Sequence, residues 1–229
     1  MEQLSIQSFL ANGHPYHLYV YGDVRGAPDG TILEDANEIL PESMIFKYRH
    51  IDSYAGFANY FRYKLLLERG GWWVDSDVVC LRPFLFEREH VFAGQMSDEA
   101  VEVTASCVIR VPPDSAVMKF AWAECLSRDP ARISWGETGP ILLQDALLRF
   151  GLERYRESYR TFCPIVHQQW QTLIEPDGQL PGEDSRAIHL WHELWRRSRT
   201  DKNGEFPESS IYEALKRMYL APERAGSEK

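Results

Sequence analysis

The chain of 229 residues is short of several things, and each shortage narrows what it can do. No stretch approaches the roughly 18 to 20 continuous apolar residues that a transmembrane helix needs, and Met1 to Asn12 lacks a basic segment ahead of an apolar core. A cytoplasmic protein with no transmembrane segment is therefore expected. Positive charge is scarce as well: 25 Lys and Arg stand against 34 Asp and Glu, for a formal net charge of -9 and a pI near 5.3. Nucleic acid is thereby excluded as the expected partner, because surfaces that track phosphate need clustered Lys and Arg. Only four cysteines occur, Cys80, Cys107, Cys125 and Cys163, widely spaced and with no C-x-x-C pair. Neither a disulfide framework nor a structural zinc centre fits that spacing, and they read as reduced, mostly core thiols. Internal repeats and low-complexity linkers are missing too, so one catalytic unit over 1–229 is expected, with 221–229 as a disordered tail.

What is present suits an α/β domain. At 44% hydrophobic and 13% aromatic residues, the chain can bury a substantial core. Helix signals cover Glu2 to Leu10, Tyr54 to Arg69, Ser115 to Arg128, Ile141 to Phe150 and Ile211 to Leu220. Strand signals fall at His17 to Tyr21, Met44 to Tyr48, Val91 to Gly94 and Ala105 to Val111, and another follows Gly70-Gly71. Thr138 is a plausible helix cap with Pro140 near the first turn, and Ser198 to Ser210 reads as a polar loop or lid.

The most informative stretch is Gly70-Gly71-Trp72-Trp73-Val74-Asp75-Ser76-Asp77. If the strand continues through it, alternation sends Asp75 and Asp77 to one face, where both can approach a single hard cation. Magnesium and manganese prefer oxygen ligands and keep positions for water and substrate phosphates, so one or two carboxylates suffice to hold them. A D-x-D triplet alone is common. Here a helix, a double glycine and an apolar strand precede it, which puts the acids at the carboxyl end of a strand, where open α/β sheets bind ligands. An anionic donor also matches the acidic chain, since a bound cation supplies locally the positive charge that the surface lacks.

From Phe57 to Asp77 the residues resemble the DXD-containing sugar-binding region of GT-A glycosyltransferases, relatives of the α-mannosyl and α-1,4-glycosyltransferases and of the clostridial glucosylating toxins. The shared pattern is a helix carrying Arg62, then Gly-Gly, an aromatic residue, an apolar residue and Asp-x-Asp. The resemblance implies a GT-A-like, Rossmann-like mixed sheet flanked by helices. It implies transfer of a sugar, as a hexosyltransferase would, from a nucleotide-diphosphate sugar such as a UDP-sugar to a glycan or other hydroxyl acceptor. Retention at the anomeric carbon, dependence on Mn2+ or Mg2+ and a place in polysaccharide biosynthesis come with it.

By the same resemblance Arg62 contacts the donor diphosphate or sugar, Trp73 packs on the donor, and Asp75 and Asp77 serve sugar and metal. Asn59 stands where the family commonly has Asp, and an amide there can still bind donor. Thr138 and Gly139 correspond to an element facing the donor sugar or acceptor, with both offered as donor-binding residues and Gln144 and Asp145 as weaker candidates one turn on. His189 is the implied third metal ligand, with His192 as its rival, and Trp195 a donor contact. The segment Met1-Glu2-Gln3-Leu4 runs into a helix where such enzymes usually open with a strand. That departure and Asn59 leave a weak or inactive nucleotide-sugar-binding module as the alternative. A haloacid-dehalogenase-type phosphatase, in which the first Asp of Asp75-Ser76-Asp77 is the nucleophile, fits less well. In those enzymes the motif lies on the first strand, with a Gly-Asp pair following later.

Overall fold

A computed structural model describes residues 1–220, so the tail expected at 221–229 lies outside the described residues. The chain is a mixed α/β structure with helices flanking strands, as the sequence predicts. It opens with helix α1 (Glu2–Ala11), strand β1 (Tyr16–Val20) and strand β2 (Thr31–Asp35), which pairs parallel to β1. Helix α2 (Ala55–Arg69) leads through Gly70 into strand β3 (Gly71–Val74), and strand β4 (Val78–Cys80) follows three residues later. Strands β5 (Val91–Met96) and β6 (Glu102–Val111) come next, then helices α3 (Ala116–Leu126), α4 (Leu142–Phe150) and the single turn α5 (Tyr159–Phe162). Strand β7 (Ala187–His189) and helices α6 (His192–Ser198) and α7 (Ile211–Tyr219) complete the described residues.

The ladders fall into three groups: β1 with β2, an antiparallel trio in the order β3-β6-β5, and antiparallel β4 with β7. Two of these pairings build the site. The β3/β6 register sets Val74 opposite Val108, and the Asp75 amide continues it by donating to the Cys107 carbonyl at 2.8 Å. The β4/β7 register sets Val78 opposite His189, which carries His189 to the side of Asp77 across more than a hundred residues of chain.

Helix α2 holds this arrangement through two faces. Phe57 and Phe61 pack against Tyr19, Tyr21, Phe46 and Trp73, while Tyr60 meets Trp122 of α3 and donates to the Cys125 carbonyl at 2.5 Å. The helix stops because Gly70 adopts φ +61, and a Cβ there would meet the Pro113 nitrogen at 2.4 Å. Only glycine fits both the conformation and the approach. Helix α1 is fastened from the other side, where Ser5 Oγ donates to the Val78 carbonyl at 2.6 Å and Ser8 Oγ accepts from the Cys80 amide at 2.8 Å. These two buried hydroxyls would be costly if unpaired; paired to β4, they position the strand that follows Asp77.

Three local expectations change. Residues 45–48 are extended but pair with no strand, and a 3-10 turn, Glu42–Met44, precedes them. The segment Glu137–Ile141 is a wide turn of π type in which Thr138 is fully buried, and Ile141 occupies the cap of α4 without a side-chain bond, so Thr138 does not cap that helix. The loop before α7 is fastened rather than free, since Lys202 pairs with Glu2 and the Tyr212 hydroxyl donates to the Lys202 carbonyl at 2.8 Å.

Candidate functional site

Asp75 and Asp77 converge through a turn rather than through strand alternation. Strand β3 ends at Val74, the Val78 amide donates to the Asp75 carbonyl at 3.0 Å, and the chain reverses direction across Ser76 and Asp77 before β4 begins. Both carboxylates open onto a cavity of about 1290 Å³, larger than a typical small-molecule pocket of about 300–1,000 Å³.

Each carboxylate is held by one oxygen. Asp75 Oδ1 accepts from Arg62 Nη2 at 2.6 Å and from Trp73 Nε1 at 2.7 Å, and the Arg62 guanidinium lies over the Trp73 ring at 4.9 Å. The Arg62 side chain is 4% exposed and that of Asp75 25%, so the cation is buried behind an acid that faces the cavity. Arg62 Nε and Nη1 are buried without a hydrogen-bond partner among the described residues. Burial raises the Asp75 pKa above the ordinary carboxylate value, against the pull of Arg62 and with help from Asp77.

Asp77 Oδ2 accepts from the His192 amide at 2.9 Å and lies 3.3 Å from His189 Nε2, while the Asp77 carbonyl accepts from the Leu190 amide at 2.9 Å. The chain leaving β7 therefore wraps around this one residue. Burial by itself would raise the Asp77 pKa, but the charge of His189 and the hydrogen bonds outweigh it and hold the group at about 2. His189 moves the opposite way: burial would lower it, yet Asp77 and then Cys107 raise it well above its ordinary value. Without a ligand the two form a buried imidazolium–carboxylate pair, and a cation taking His189 as ligand must displace its proton.

Donor atoms of Asp75, Asp77 and His189 all lie within 4.8 Å of one another. Two oxygens and one imidazole nitrogen form a donor set suited to Mn2+ or Mg2+, and Asp75 Oδ2 and Asp77 Oδ1 have no hydrogen-bond partner among the described residues.

The other residues singled out from the sequence are distributed around this centre. Trp73 and Asn59 line the cavity. Asn59 Nδ2 donates to Thr138 Oγ1 at 3.3 Å, and a Cβ on Gly139 would sit 3.1 Å from that same amide nitrogen, so Thr138 and Gly139 back Asn59 from below rather than line the cavity themselves. Gln144 faces elsewhere, accepting from Thr104 at 2.6 Å and from Arg156 at 3.1 Å. The side chain of His192 borders the cavity, but it is the His192 backbone amide that binds Asp77.

Trp195 does not take the place expected of it. It is fully buried among Trp170, Phe206 and Tyr212, and its Nε1 donates to the Leu190 carbonyl at 2.7 Å. The tryptophan facing the cavity is Trp191, whose ring lies 4.0 Å from that of His189 and whose Nε1 donates to the Ile165 carbonyl at 2.8 Å. Trp191 has φ +57, a left-handed conformation at the turn from β7 into α6.

Residues 3–97 match the family model described as a glycosyltransferase sugar-binding region containing a DXD motif. The matched residues run from α1 through β5 and include Asn59, Arg62, Asp75 and Asp77, while His189 lies beyond them. Among solved structures the chain is similar to one titled "PaToxG Glycosyltransferase", at 14% identity and a TM-score of 0.46, covering 65% of this chain and 62% of that one. The chain accordingly spans less than two thirds of that structure's length. No curated protein sequence matches.

Proposed function

We propose that this chain, whose residues 3–97 carry a DXD-containing glycosyltransferase sugar-binding region, is a metal-dependent glycosyltransferase. It moves a hexose from a nucleotide-diphosphate sugar, in our reading a UDP-sugar, to a hydroxyl of a glycan or related acceptor, with retention. The observation that carries this reading is the meeting of Asp75, Asp77 and His189 donor atoms within 4.8 Å at the wall of the large cavity.

When bound, Mn2+ or Mg2+ supplies positive charge to the diphosphate as it leaves. The residues of the chain do the rest. Asp75 and Asp77 present their free oxygens, and His189 gives up its proton to join them. Arg62 lines the cavity beside Asp75, opposes the effect of burial on that carboxylate and fixes its direction. Trp73 and Trp191 supply apolar faces on either side of the acids for the donor, and Asn59 offers an amide set by Thr138. Water is kept from the acids' bound oxygens by this packing, which strengthens every charge interaction inside.

The test is a panel of nucleotide sugars with Mn2+, followed by donor hydrolysis and transfer to oligosaccharide acceptors. A preferred donor raises the melting temperature by mass action, and its hydrolysis requires the ion. A second reading, a nucleotide-sugar-binding module without turnover, is favoured by one feature: Asn59, in place of the family's usual Asp, is tied to Thr138. Calorimetric binding of donor and ion with no release of nucleotide would support the module over the enzyme.

A further inference from the structure

Against His189 lie two thiols that transfer chemistry does not use. Cys107 Sγ, on β6, and Cys163 Sγ, just after α5, are 3.6 Å apart, and both residues are buried. Donor atoms of Cys107, Cys163 and His189 all lie within 4.8 Å of one another. His189 Nδ1 is buried and has no hydrogen-bond partner among the described residues. An orphaned imidazole nitrogen next to two free thiols calls for an explanation, since a buried polar atom left unpaired is costly.

We propose that Cys107, Cys163 and His189 form a site for a thiophilic divalent ion such as Zn2+. Two sulfurs bound tetrahedrally at about 2.3 Å stand about 3.8 Å from each other, close to the separation already present, so the thiols need little movement. His189 would bind through Nδ1 while Nε2 keeps its proton toward Asp77, 3.3 Å away. A ligating imidazole whose other nitrogen donates to a carboxylate is the usual arrangement around zinc. Cys107 borders the cavity, which gives the ion a way in. Binding converts two thiols to thiolates and takes the Nδ1 proton from the imidazolium, so three protons are released with no change of oxidation state. Three protein donors leave a fourth position for water.

His189 is shared, so the two ions compete. With Zn2+ on the sulfur side, Nε2 stays protonated and bonded to Asp77 and is withdrawn from the oxygen site. Zn2+ then weakens Mn2+ binding at Asp75 and Asp77 without touching either acid. This inference stands apart from glycosyl transfer and holds or fails on its own.

The experiment is a Cd2+ titration of the full chain under reducing, anaerobic conditions, read by thiolate-to-cadmium absorption and by 113Cd NMR. The expected result is one Cd2+ per chain with a resonance of mixed sulfur and nitrogen ligation. The absorption is lost in Cys107→Ser and in Cys163→Ser, and kept in Cys80→Ser, Cys125→Ser and Asp75→Asn. If the two former variants fail to fold, the wild-type 113Cd resonance decides alone. A folded wild type with no thiolate absorption, a resonance of oxygen ligation only, or a signal that survives both Cys107→Ser and Cys163→Ser overturns the assignment.

Discussion

Arg62 Nη2 donates to Asp75 Oδ1 at 2.6 Å from beneath the Trp73 ring, so the first acid of the D-x-D triplet is positioned by a buried cation thirteen residues earlier. The pair couples the helix before the glycine turn to the acid after it. Asp75→Asn should cost about 2–3 kcal/mol, at or below the usual range for breaking a buried pair because Asp75 is partly exposed. Arg62→Met should cost a similar amount, and the double variant less than the two together. Urea unfolding of the four proteins measures this, and strict additivity would mean that the two side chains do not depend on each other.

Gly70 and Gly71 both have positive φ, but only Gly70 is crowded, with a Cβ meeting Pro113 backbone at 2.4 Å against open space at Gly71. Gly70→Ala should therefore destabilise by about 2–4 kcal/mol, strain and overpacking combined, and Gly71→Ala by only about 1 kcal/mol. Equal effects on the urea midpoint would mean that the close approach at Pro113 is not what requires glycine.

The two tryptophans after β7 should separate by kind of defect. Trp195→Ala removes a core side chain and should cost about 3–5 kcal/mol. Trp191→Ala should leave the fold largely intact while raising the donor KM, because its ring faces the cavity beside His189. Unfolding curves and donor titrations on both variants check the contrast, and an intact fold in Trp195→Ala would contradict the packing described.

A pH dependence of stability follows from His14. Burial lowers its pKa below the ordinary 6.5, and its Nε2 accepts a hydrogen bond from the Phe84 amide at 2.9 Å, which requires the neutral ring. The unfolded chain therefore binds the proton first as pH falls. The contribution of His14 is complete above pH 6.5 and is lost as the pH drops from there through the lowered folded value. Urea midpoints of wild type and His14→Gln between about pH 7.5 and about pH 5.5 should converge toward the acid end. A gap between the two midpoints that widens on acidification would contradict the sign.

What the sequence made legible was what lies close along the chain. Helix α2, the Gly70 stop, β3 and the two acids were readable because capping chemistry and hydrophobic periodicity act over a few residues. The resemblance supplied His189, which no local pattern could bring to Asp77, since the link is the β4/β7 register. Errors arose where the backbone departs from regular geometry. Helix α6 packs Trp195 into the core and leaves Trp191, at its left-handed cap, beside the cavity, and the wide turn at Glu137–Ile141 buried Thr138 instead of letting it cap a helix. The turn at Ser76 and Asp77 gave the right convergence of acids for a different reason than strand alternation. Cys107 and Cys163 read as inert core thiols because nothing in their spacing reveals that β6 and the end of α5 bring both against His189.

The most direct test of the account is Mn2+ binding followed by electron paramagnetic resonance, with and without a UDP-sugar, in wild type and Asp77→Asn. The wild type should bind one Mn2+ more tightly when the donor is present, and Asp77→Asn should lose at least about 100-fold in metal-dependent donor hydrolysis while remaining folded. Unchanged Mn2+ affinity and turnover in Asp77→Asn would contradict the claim that these acids hold the ion on the donor diphosphate.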